Sequence, residues 1–406
     1  MLDSAPLMLV ERANLRQKLL LSVITIVVGI IAMEITGRLT GFLPAPPSAE
    51  YVALSKEVGP LNKPLRRWYN EIPDGYTIWS QANRMGYLDT PTDFPNTNQK
   101  KILILGDSYA VGCQVTIQYR WATQLSQFHQ DWAILNLANP NWATDQECLT
   151  LLHYPLRYQP DTVLLCFNPG NDVSDNARLL LTGVAPNRPY FVPATNNFDQ
   201  APIPLKKIGW RYTDEYDYPS ERRFPDNTRI WLYLHSAVYR AAGDCVRALR
   251  QPATPAHQAV GSSEPHTEWG VFALSQKPEW NVAWKITETL ILKMKTESEA
   301  RGAIFKIIVI PYYGAADPKL TPEFFKTNSA DYDLMKPNRH LADFAQKNDI
   351  ALFDLTPGFL EYQKATGASL FLRKDKHFTV TGNCVAAVLI NHWLDPSTQV
   401  SLDRCH

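Results

Sequence analysis

The chain has 406 residues, 45% of them hydrophobic, which is enough for a sizeable core in one α/β domain with insertions or in two or three domains. Lys and Arg together number 40, as do Asp and Glu, so the formal net charge is zero. A nucleic-acid-binding function, which requires a basic face, is therefore not indicated.

An apolar segment near the N-terminus predicts a transmembrane helix over residues 19–40. Leu19 to Met33 is apolar apart from Ser22 and Thr25, and the pattern continues far enough to reach roughly 20 residues. The basic residues that precede it are Arg12, Arg16 and Lys18. By the positive-inside rule, they place residues 1–18 in the cytoplasm and the rest of the chain on the extracytoplasmic, periplasmic side.

The same segment also fits a signal peptide, which would be cleaved. No convincing cleavage site precedes the proline-rich residues 44–48, so we favour an uncleaved, single-pass signal anchor. Either alternative exports the remainder of the chain. We interpret residues 41–98 as a spacer and lead-in segment between the anchor and the exported domain.

Short apolar runs alternate with helical patterns from residue 99 to residue 396. The run from Lys101 to Leu105 is followed by glycine and is typical of a strand buried on both faces. The patterns predict strands at 101–105, 133–137, 162–167, 304–310 and 350–353, and helices at 117–130, 145–154, 281–301, 338–348 and 381–394. Strands that alternate with helices imply a parallel sheet with helices on both faces.

The alternation is interrupted between about residues 178 and 280. This stretch is rich in Pro, Tyr, Trp and Arg and contains one helical pattern, from Thr228 to Leu249. We interpret it as an insertion that covers or flanks the functional site of the domain at 99–396. Residues 397–406 are interpreted as a C-terminal tail.

Three loops follow the first three predicted strands directly. They are Gly106-Asp107-Ser108, Asn139-Pro140-Asn141 and the stretch from Asn168 to Asp172. Because ligands bind at the carboxyl ends of the strands in open α/β sheets, we expect these loops to form a site. A fourth element, Asp375-Lys376-His377, precedes the last predicted helix.

The residue types in these loops suit acyl transfer. A serine hydroxyl needs a base to take its proton, and His377 could serve Ser108 in this way. Asp375 could accept a hydrogen bond from the other ring nitrogen and fix the tautomer. The Asn171 amide, with backbone N–H groups near Ser108 and Asn141, would form the oxyanion hole.

In this combination the chain resembles the SGNH (GDSL-like) hydrolase family, in its membrane-anchored bacterial form. The first matching block runs from Gly106 to Gly112, with a glycine four residues after the serine. The other blocks are Gly170-Asn171-Asp172 and the stretch from Asp375 to Gly382. The stretch from Asn83 to Asp89 is similar to the lead-in of membrane-anchored bacterial members.

The resemblance covers about residues 83–178 and 280–396. It implies a flavodoxin-like three-layer α/β/α fold and hydrolysis or transfer of an ester-linked acyl group, with neither a metal nor an organic cofactor. One position departs from the family pattern, because Asn141 stands where the second block has an oxyanion-hole glycine. Asparagine tolerates the left-handed backbone conformation, so the N–H could still point inward, although the side chain would narrow the pocket.

Three functions fit these observations. The first is a membrane-anchored esterase that acts on an acyl ester of an envelope polysaccharide or lipid. The second is an O-acyltransferase with the same three residues, which passes the acyl group to a sugar hydroxyl. The third is a family member that binds glycan without catalysis, for which Asn141 is the only support.

Several other residues are interpreted as structural. Trp280 and Trp284 lie four apart on a predicted helix and are expected to pack in the core. Cys148, Cys166 and Cys384 are interpreted as small buried residues, with one or two disulfides as the alternative for an exported chain. Tyr312 and Tyr313 follow the fourth strand and would border the site.

Overall fold

A computed structural model of the chain describes residues 5–39, 52–55, 57–89, 98–153, 159–186, 188–199, 201–209, 236, 238–239 and 267–405. The chain divides into two compact units. The first consists of Met1–Glu50 and Tyr212–Gly261, and the second of Tyr51–Arg211 and Ser262–His406. The predicted helix over residues 228–249 lies outside the described residues at all but three positions, so it stays a prediction.

In the first unit, helix α1 spans Ala5–Leu39. Its segment Gln17–Gly37 is long and apolar enough to cross a membrane. The large apolar side chains along this segment are exposed, as a surface that faces lipid requires. Both a membrane anchor and a signal sequence have these properties.

The second unit contains eleven described strands and eleven described α-helices. The strands are β1 (Val52–Ser55), β2 (Gly59–Asn62), β3 (Arg67–Ile72), β4 (Tyr76–Gln81), β5 (Lys100–Gly106), β6 (Trp132–Asn136), β7 (Thr162–Phe167), β8 (Tyr190–Pro193), β9 (Leu205–Ile208), β10 (Ile304–Val309) and β11 (Ala351–Asp354). The helices are α2 (Ser108–Val111), α3 (Trp121–Phe128), α4 (Thr144–His153), α5 (Asp172–Asn176), α6 (Arg178–Thr182), α7 (Pro278–Glu299), α8 (Tyr313–Ala316), α9 (Glu323–Thr327), α10 (Lys336–Lys347), α11 (Thr356–Thr366) and α12 (Val380–Leu394).

Five strands form a parallel sheet in the order β11-β10-β7-β5-β6. Counted along the chain, this is the order 2-1-3-4-5 of a flavodoxin-like fold, with the switch point between β5 and β7. All five strands were predicted from their apolar runs, and their ends differ from the predicted ends by at most one residue. The parallel α/β fold is therefore confirmed.

Successive side chains of the central strands enter different cores, because alternate residues of a strand point to opposite faces. On β5, Leu103 and Leu105 belong to one core and Ile102 and Ile104 to the other. Helices α4, α5, α7 and α10 contribute to the first core, and α2, α3, α11 and α12 to the second. The sheet is thus the middle of three layers.

Three antiparallel hairpins lie outside this sheet and were not predicted. Strands β1 with β2 and β3 with β4 form two hairpins in the lead-in segment. Strands β8 and β9 form the third, within the stretch that we interpret as an insertion. Residues 52–89 are therefore a folded part of the second unit rather than a simple spacer.

The cysteines divide into bonded and free residues. Cys384, near the start of α12, forms a disulfide with Cys405, so its interpretation as a plain buried thiol was wrong. The pairing requires the tail to fold back onto α12, which no spacing in the sequence indicates. Among the described residues, Cys113, Cys148 and Cys166 are free and buried.

Candidate active site

Ser108 is the first residue of α2 and is separated from the end of β5 only by Asp107. Asp107 caps the helix, because its carboxylate accepts a hydrogen bond from the Tyr109 N–H at 2.8 Å. The site of Gly106 has no room for a side chain, since a Cβ there would lie 2.6 Å from the Ala110 Cβ. This close contact brings α2 against the sheet and fixes where Ser108 emerges.

The structure joins Ser108, His377 and Asp375 in one chain of hydrogen bonds. The Ser108 Oγ lies 2.7 Å from the His377 Nε2, and the His377 Nδ1 lies 2.5 Å from the Asp375 Oδ1. With a neutral imidazole, Nδ1 donates to the carboxylate and Nε2 is left to accept the serine proton. The His377 side chain is 21% exposed and that of Asp375 is 14% exposed, so the site is open to solvent.

Two features around His377 hold the imidazole in place. The Tyr109 ring lies against it, with ring centroids 4.5 Å apart, and the Tyr109 hydroxyl donates to the Lys376 carbonyl at 3.0 Å. The turn itself is tight, because Lys376 has a φ of 72°, in the left-handed region. The residues on both sides of Lys376 can therefore bring their side chains together.

The start of α12 explains the rest of the Asp375–Gly382 block. Thr379 caps the helix by accepting a hydrogen bond from the Gly382 N–H at 2.9 Å. A Cβ at Gly382 would lie 2.1 Å from the Leu370 carbonyl oxygen, so no larger residue fits there. Both residues fix how the chain enters α12 after His377.

Both predicted oxyanion loops are tied to residues beside the nucleophile. The Asn139 N–H donates to the Gly106 carbonyl at 3.1 Å, and the Asn168 Nδ2 donates to the Asp107 carboxylate at 2.8 Å. Within the described part of the chain, neither Asn141 nor Asn171 forms a hydrogen bond with Ser108 or His377. Their role in an oxyanion hole therefore stays a prediction.

Asn141 and Asn171 have the conformations that short polar residues allow. Asn141 is exposed and has a φ of 64°, so the expected left-handed backbone is present. Asn171 precedes α5, and its Oδ1 is buried without a hydrogen-bond partner. Among the described residues no donor bonds to this oxygen, so none of them fixes its orientation toward a ligand.

Arg188, which sequence reasoning missed, connects the two loops. Its guanidinium donates a hydrogen bond to the Asn141 carbonyl, and its Nη2 lies 3.7 Å from the Asp175 carboxylate on α5. The residue belongs to the stretch interpreted as an insertion, where no motif distinguishes it from other arginines. Only the fold shows that Arg188 reaches the Asn141 loop.

The lead-in also contacts the second loop. The Asn62 Nδ2 donates to the Asn139 Oδ1 at 3.1 Å, and the Pro60 carbonyl accepts from the Trp142 Nε1 at 3.3 Å. Further along, the Asp89 carboxylate accepts from the Asn136 N–H at the end of β6. The lead-in therefore supports the loop that carries Asn141.

Four buried acids lie behind these loops: Asp107, Asp145, Glu147 and Asp172. Burial raises the pKa of each, to about 6 for Asp145 and well above the usual range for Glu147 and Asp172, whose neighbouring carboxylates add to the shift. Both Glu147 carboxyl oxygens lack a hydrogen-bond partner. Burial and the neighbouring carboxylates therefore favour the protonated form of Glu147 and of Asp172.

The aromatic residues lie close to where they were expected. Trp280 and Trp284 are both buried, as predicted for core residues. The Tyr312 ring packs beside Gly170, and the Tyr313 ring lies 5.6 Å from the Lys376 Nζ. Both tyrosines thus border the site loops.

In the described part of the chain, no group of three or more His, Cys, Asp or Glu residues could hold a metal ion.

The sequence matches no protein-family profile and no curated protein sequence. Solved structures similar to the chain include a lipolytic protein of the G-D-S-L family from Veillonella parvula, at 9% identity and a TM-score of 0.35, covering 74% of this chain and 99% of that one. An acetylxylan esterase from Geobacillus stearothermophilus has 10% identity and a TM-score of 0.37, with coverage of 76% and 100%. The esterase EstA from Pseudoalteromonas has 12% identity and a TM-score of 0.33, with coverage of 73% and 100%. At these scores the similarities assign no activity to the chain.

Proposed function

We propose that this chain is a serine hydrolase that cleaves an ester-linked acyl group. The observation that carries the proposal is the chain of hydrogen bonds from the Ser108 Oγ through the His377 imidazole to the Asp375 carboxylate. A serine activated by such a pair is chemically suited to attack a carbonyl carbon. The same intact arrangement argues against a role limited to glycan binding.

In the first half of the reaction, the Ser108 oxygen attacks the ester carbonyl and the His377 Nε2 takes the hydroxyl proton. The carbonyl oxygen becomes an oxyanion, for which the backbone N–H groups of Ser108 and Asn141 and the Asn171 amide are the donors that we propose. The intermediate then collapses, and the leaving alkoxide receives the proton from His377. The products are an alcohol and an acyl-serine.

In the second half, a water molecule gives a proton to His377 and attacks the acyl-serine carbonyl. Collapse of the second intermediate returns that proton to the Ser108 oxygen and releases the carboxylic acid. Asp375 stabilises the imidazolium in both halves without taking its proton. The exposure of His377 supports water as the acceptor, because a transferase must exclude water from its acyl-enzyme.

We further propose that the domain acts outside the cytoplasm, held by α1 as a single-pass anchor. The apolar segment Gln17–Gly37 supports attachment to a membrane. The bond between Cys384 and Cys405 supports an oxidising compartment, where disulfides form and persist. An acyl ester of an envelope polysaccharide or lipid is the substrate class that such a location would supply.

The test is hydrolysis of chromogenic esters of several acyl lengths by the full-length protein in detergent. We expect Ser108→Ala to lower kcat by at least about 10³-fold, because the nucleophile is removed. Ser126→Ala is the matched control, since the Ser126 hydroxyl donates to the Thr123 carbonyl within α3 and, among the described residues, bonds to no group of the site. If the wild type shows no turnover above the Ser108→Ala background at any acyl length, the proposed function is wrong.

A second assay separates hydrolysis from transfer. Acetylated glycan is supplied with and without an acceptor glycan, and released acetate is measured. Release that needs no acceptor supports the hydrolase. Release or exchange only in the presence of the acceptor would favour the O-acyltransferase.

A further inference from the structure

The turn of the β3–β4 hairpin contacts the turn that carries the base. Asp74 lies in this hairpin turn, between β3 and β4, and its carboxylate accepts two backbone N–H groups. The Asp375 N–H donates at 2.8 Å and the Lys374 N–H at 3.0 and 3.1 Å to the two oxygens. Asp74 thus binds the backbone of Asp375, the proposed partner of His377, although the two acids are 301 positions apart in the chain.

Other contacts hold the hairpin in this position. The Asn70 Nδ2 donates to the Cys113 carbonyl at 3.2 Å, and the Tyr76 hydroxyl donates to the Gln114 carbonyl at 2.9 Å. Both acceptors lie just after α2, the helix that begins with Ser108. The hairpin is therefore attached to the segment of the nucleophile at one side and to the turn of the base at the other.

An apolar contact completes the attachment. Ile72 and Ile78, which face inward on β3 and β4, form a small buried cluster with Leu372. Leu372 in turn donates its N–H to the His377 carbonyl at 2.7 Å. Packing and hydrogen bonds thus converge on the six residues from Leu372 to His377.

Asp74 is suited to this task because it is charged. Partial burial raises its pKa, but the N–H groups of Asp375, Lys374 and Arg373 and the Lys374 charge lower it by more, so the pKa lies below its usual value. Hydrogen bonds to an ionised acceptor are stronger than those to a neutral one. The carboxylate therefore holds two successive N–H groups of a turn that also contains the left-handed Lys376.

We propose that Asp74 is a positioning residue for the Asp375–His377 pair, so that the lead-in hairpin completes the active site. Asp74 touches neither the substrate nor the reacting atoms. It orients the Asp375 backbone so that the Asp375 side chain reaches the His377 Nδ1. The inference rests on the proposed function only where activity is measured, because the Asp375–His377 hydrogen bond also has an NMR signature that does not depend on activity.

That signature is the downfield proton resonance of the His377 Nδ1–H, assigned by its loss in His377→Gln. We expect it in the wild type and expect Asp74→Ala to abolish or broaden it, since the Asp375 backbone is released. Asp333→Ala is the matched control, because Asp333, just before α10, is also a partly exposed acid that accepts a backbone N–H, from Met335 at 2.9 Å. The control should leave the resonance unchanged.

Kinetics give the second measurement. We expect Asp74→Ala to lower kcat about 10- to 100-fold while KM changes little, because binding groups are untouched and only the geometry of the base is lost. Asp74→Asn keeps one oxygen acceptor and should recover part of this loss. If Asp74→Ala does not fold, kcat and KM are compared between the wild type and Asp74→Asn, which preserves the shape of the turn.

The outcomes separate the two proposals. An unchanged resonance in a folded Asp74→Ala protein overturns the positioning role, whatever the activity of the wild type. Equal kcat for the wild type and Asp74→Ala overturns it as well. Absence of Ser108-dependent turnover in the wild type overturns only the proposed function.

Discussion

The carbonyl oxygen of Asn141 accepts a hydrogen bond from the guanidinium of Arg188, and through it the Asn141 loop is linked to Asp175 on α5. The same loop is tied to the end of β5 through Asn139. Asn141 therefore has a left-handed backbone in a loop that is held on two sides. Its conformation depends on these contacts as well as on the intrinsic preference of asparagine.

The backbone conformation of Asn141 can be tested by substitution. We expect Asn141→Ala to lower the free energy of unfolding by about 1 kcal/mol, because a Cβ without a local hydrogen-bonding group disfavours the left-handed region. Asn141→Gly should be at least as stable as the wild type. Urea unfolding measures both, and equal stability of the Ala and Gly variants would contradict the interpretation.

The same pair of variants tests whether the Asn141 side chain narrows the pocket. If it does, Asn141→Gly raises kcat/KM for long acyl esters relative to acetyl esters, since space is created without loss of the backbone N–H. The measurement is the ratio of kcat/KM values over a series of chromogenic esters. A ratio unchanged from the wild type would place the side chain outside the acyl pocket.

Gly106 allows α2 to approach the sheet. A Cβ at this position would lie 2.6 Å from the Ala110 Cβ and 2.9 Å from the Cys166 Cβ, so we expect Gly106→Ala to cost about 1–3 kcal/mol by overpacking. The substitution should also displace Ser108, and we expect this displacement to lower kcat more than it raises KM. Gly209→Ala is the control, because no atom lies within 4 Å of its added Cβ. If Gly106→Ala leaves the free energy of unfolding unchanged, α2 can shift without cost.

The buried Asp145 predicts that stability falls as pH rises. Burial, with the nearby Asp175, raises its pKa from 3.8 to about 6, while the Arg188 charge only partly opposes the shift. The folded state thus binds the proton more tightly than the unfolded state, so the contribution is present below about pH 4 and is lost as pH rises through about 6. The Asp145 shift of about two pKa units corresponds to roughly 3 kcal/mol in the free energy of unfolding.

Urea unfolding at about pH 5 and about pH 8 measures about half of this loss, because pH 5 already lies above the pKa of the unfolded state. We expect the difference to shrink in Asp145→Asn, which has no proton to lose. Asp343→Asn, at an exposed position on α10, should keep the wild-type difference. If the free energy of unfolding changes with pH by the same amount in the wild type and in Asp145→Asn, the change belongs to other groups.

The bond between Cys384 and Cys405 closes a loop with a sequence separation of 21 residues. The loop-closure entropy of such a bond corresponds to about 3 kcal/mol. We expect a reductant to lower the free energy of unfolding by about this amount in the wild type and to have no effect on Cys384→Ser/Cys405→Ser. A reductant effect in the double variant, or none in the wild type, would contradict the assignment.

The apolar strands could be predicted from the sequence because each is a short run buried on both faces. The hydrogen-bonded pair of Ser108 and His377 could be predicted because the serine follows such a strand and the histidine precedes a helix, each in a recognisable block. The lead-in hairpins could not, since β4 is mostly exposed and both β3 and β4 mix polar with aromatic residues. Arg188 and Asp74 act through backbone atoms of distant loops, and only the folded chain shows such contacts.

The Ser108 hydroxyl and the His377 imidazole are 269 residues apart in the chain. Since domains fold as units during and after synthesis, a growing chain holds the serine long before it holds the base. Such a chain has an unactivated hydroxyl and no means of attacking an ester. If the proposed function holds, the order of synthesis alone delays esterase activity until α12 has docked.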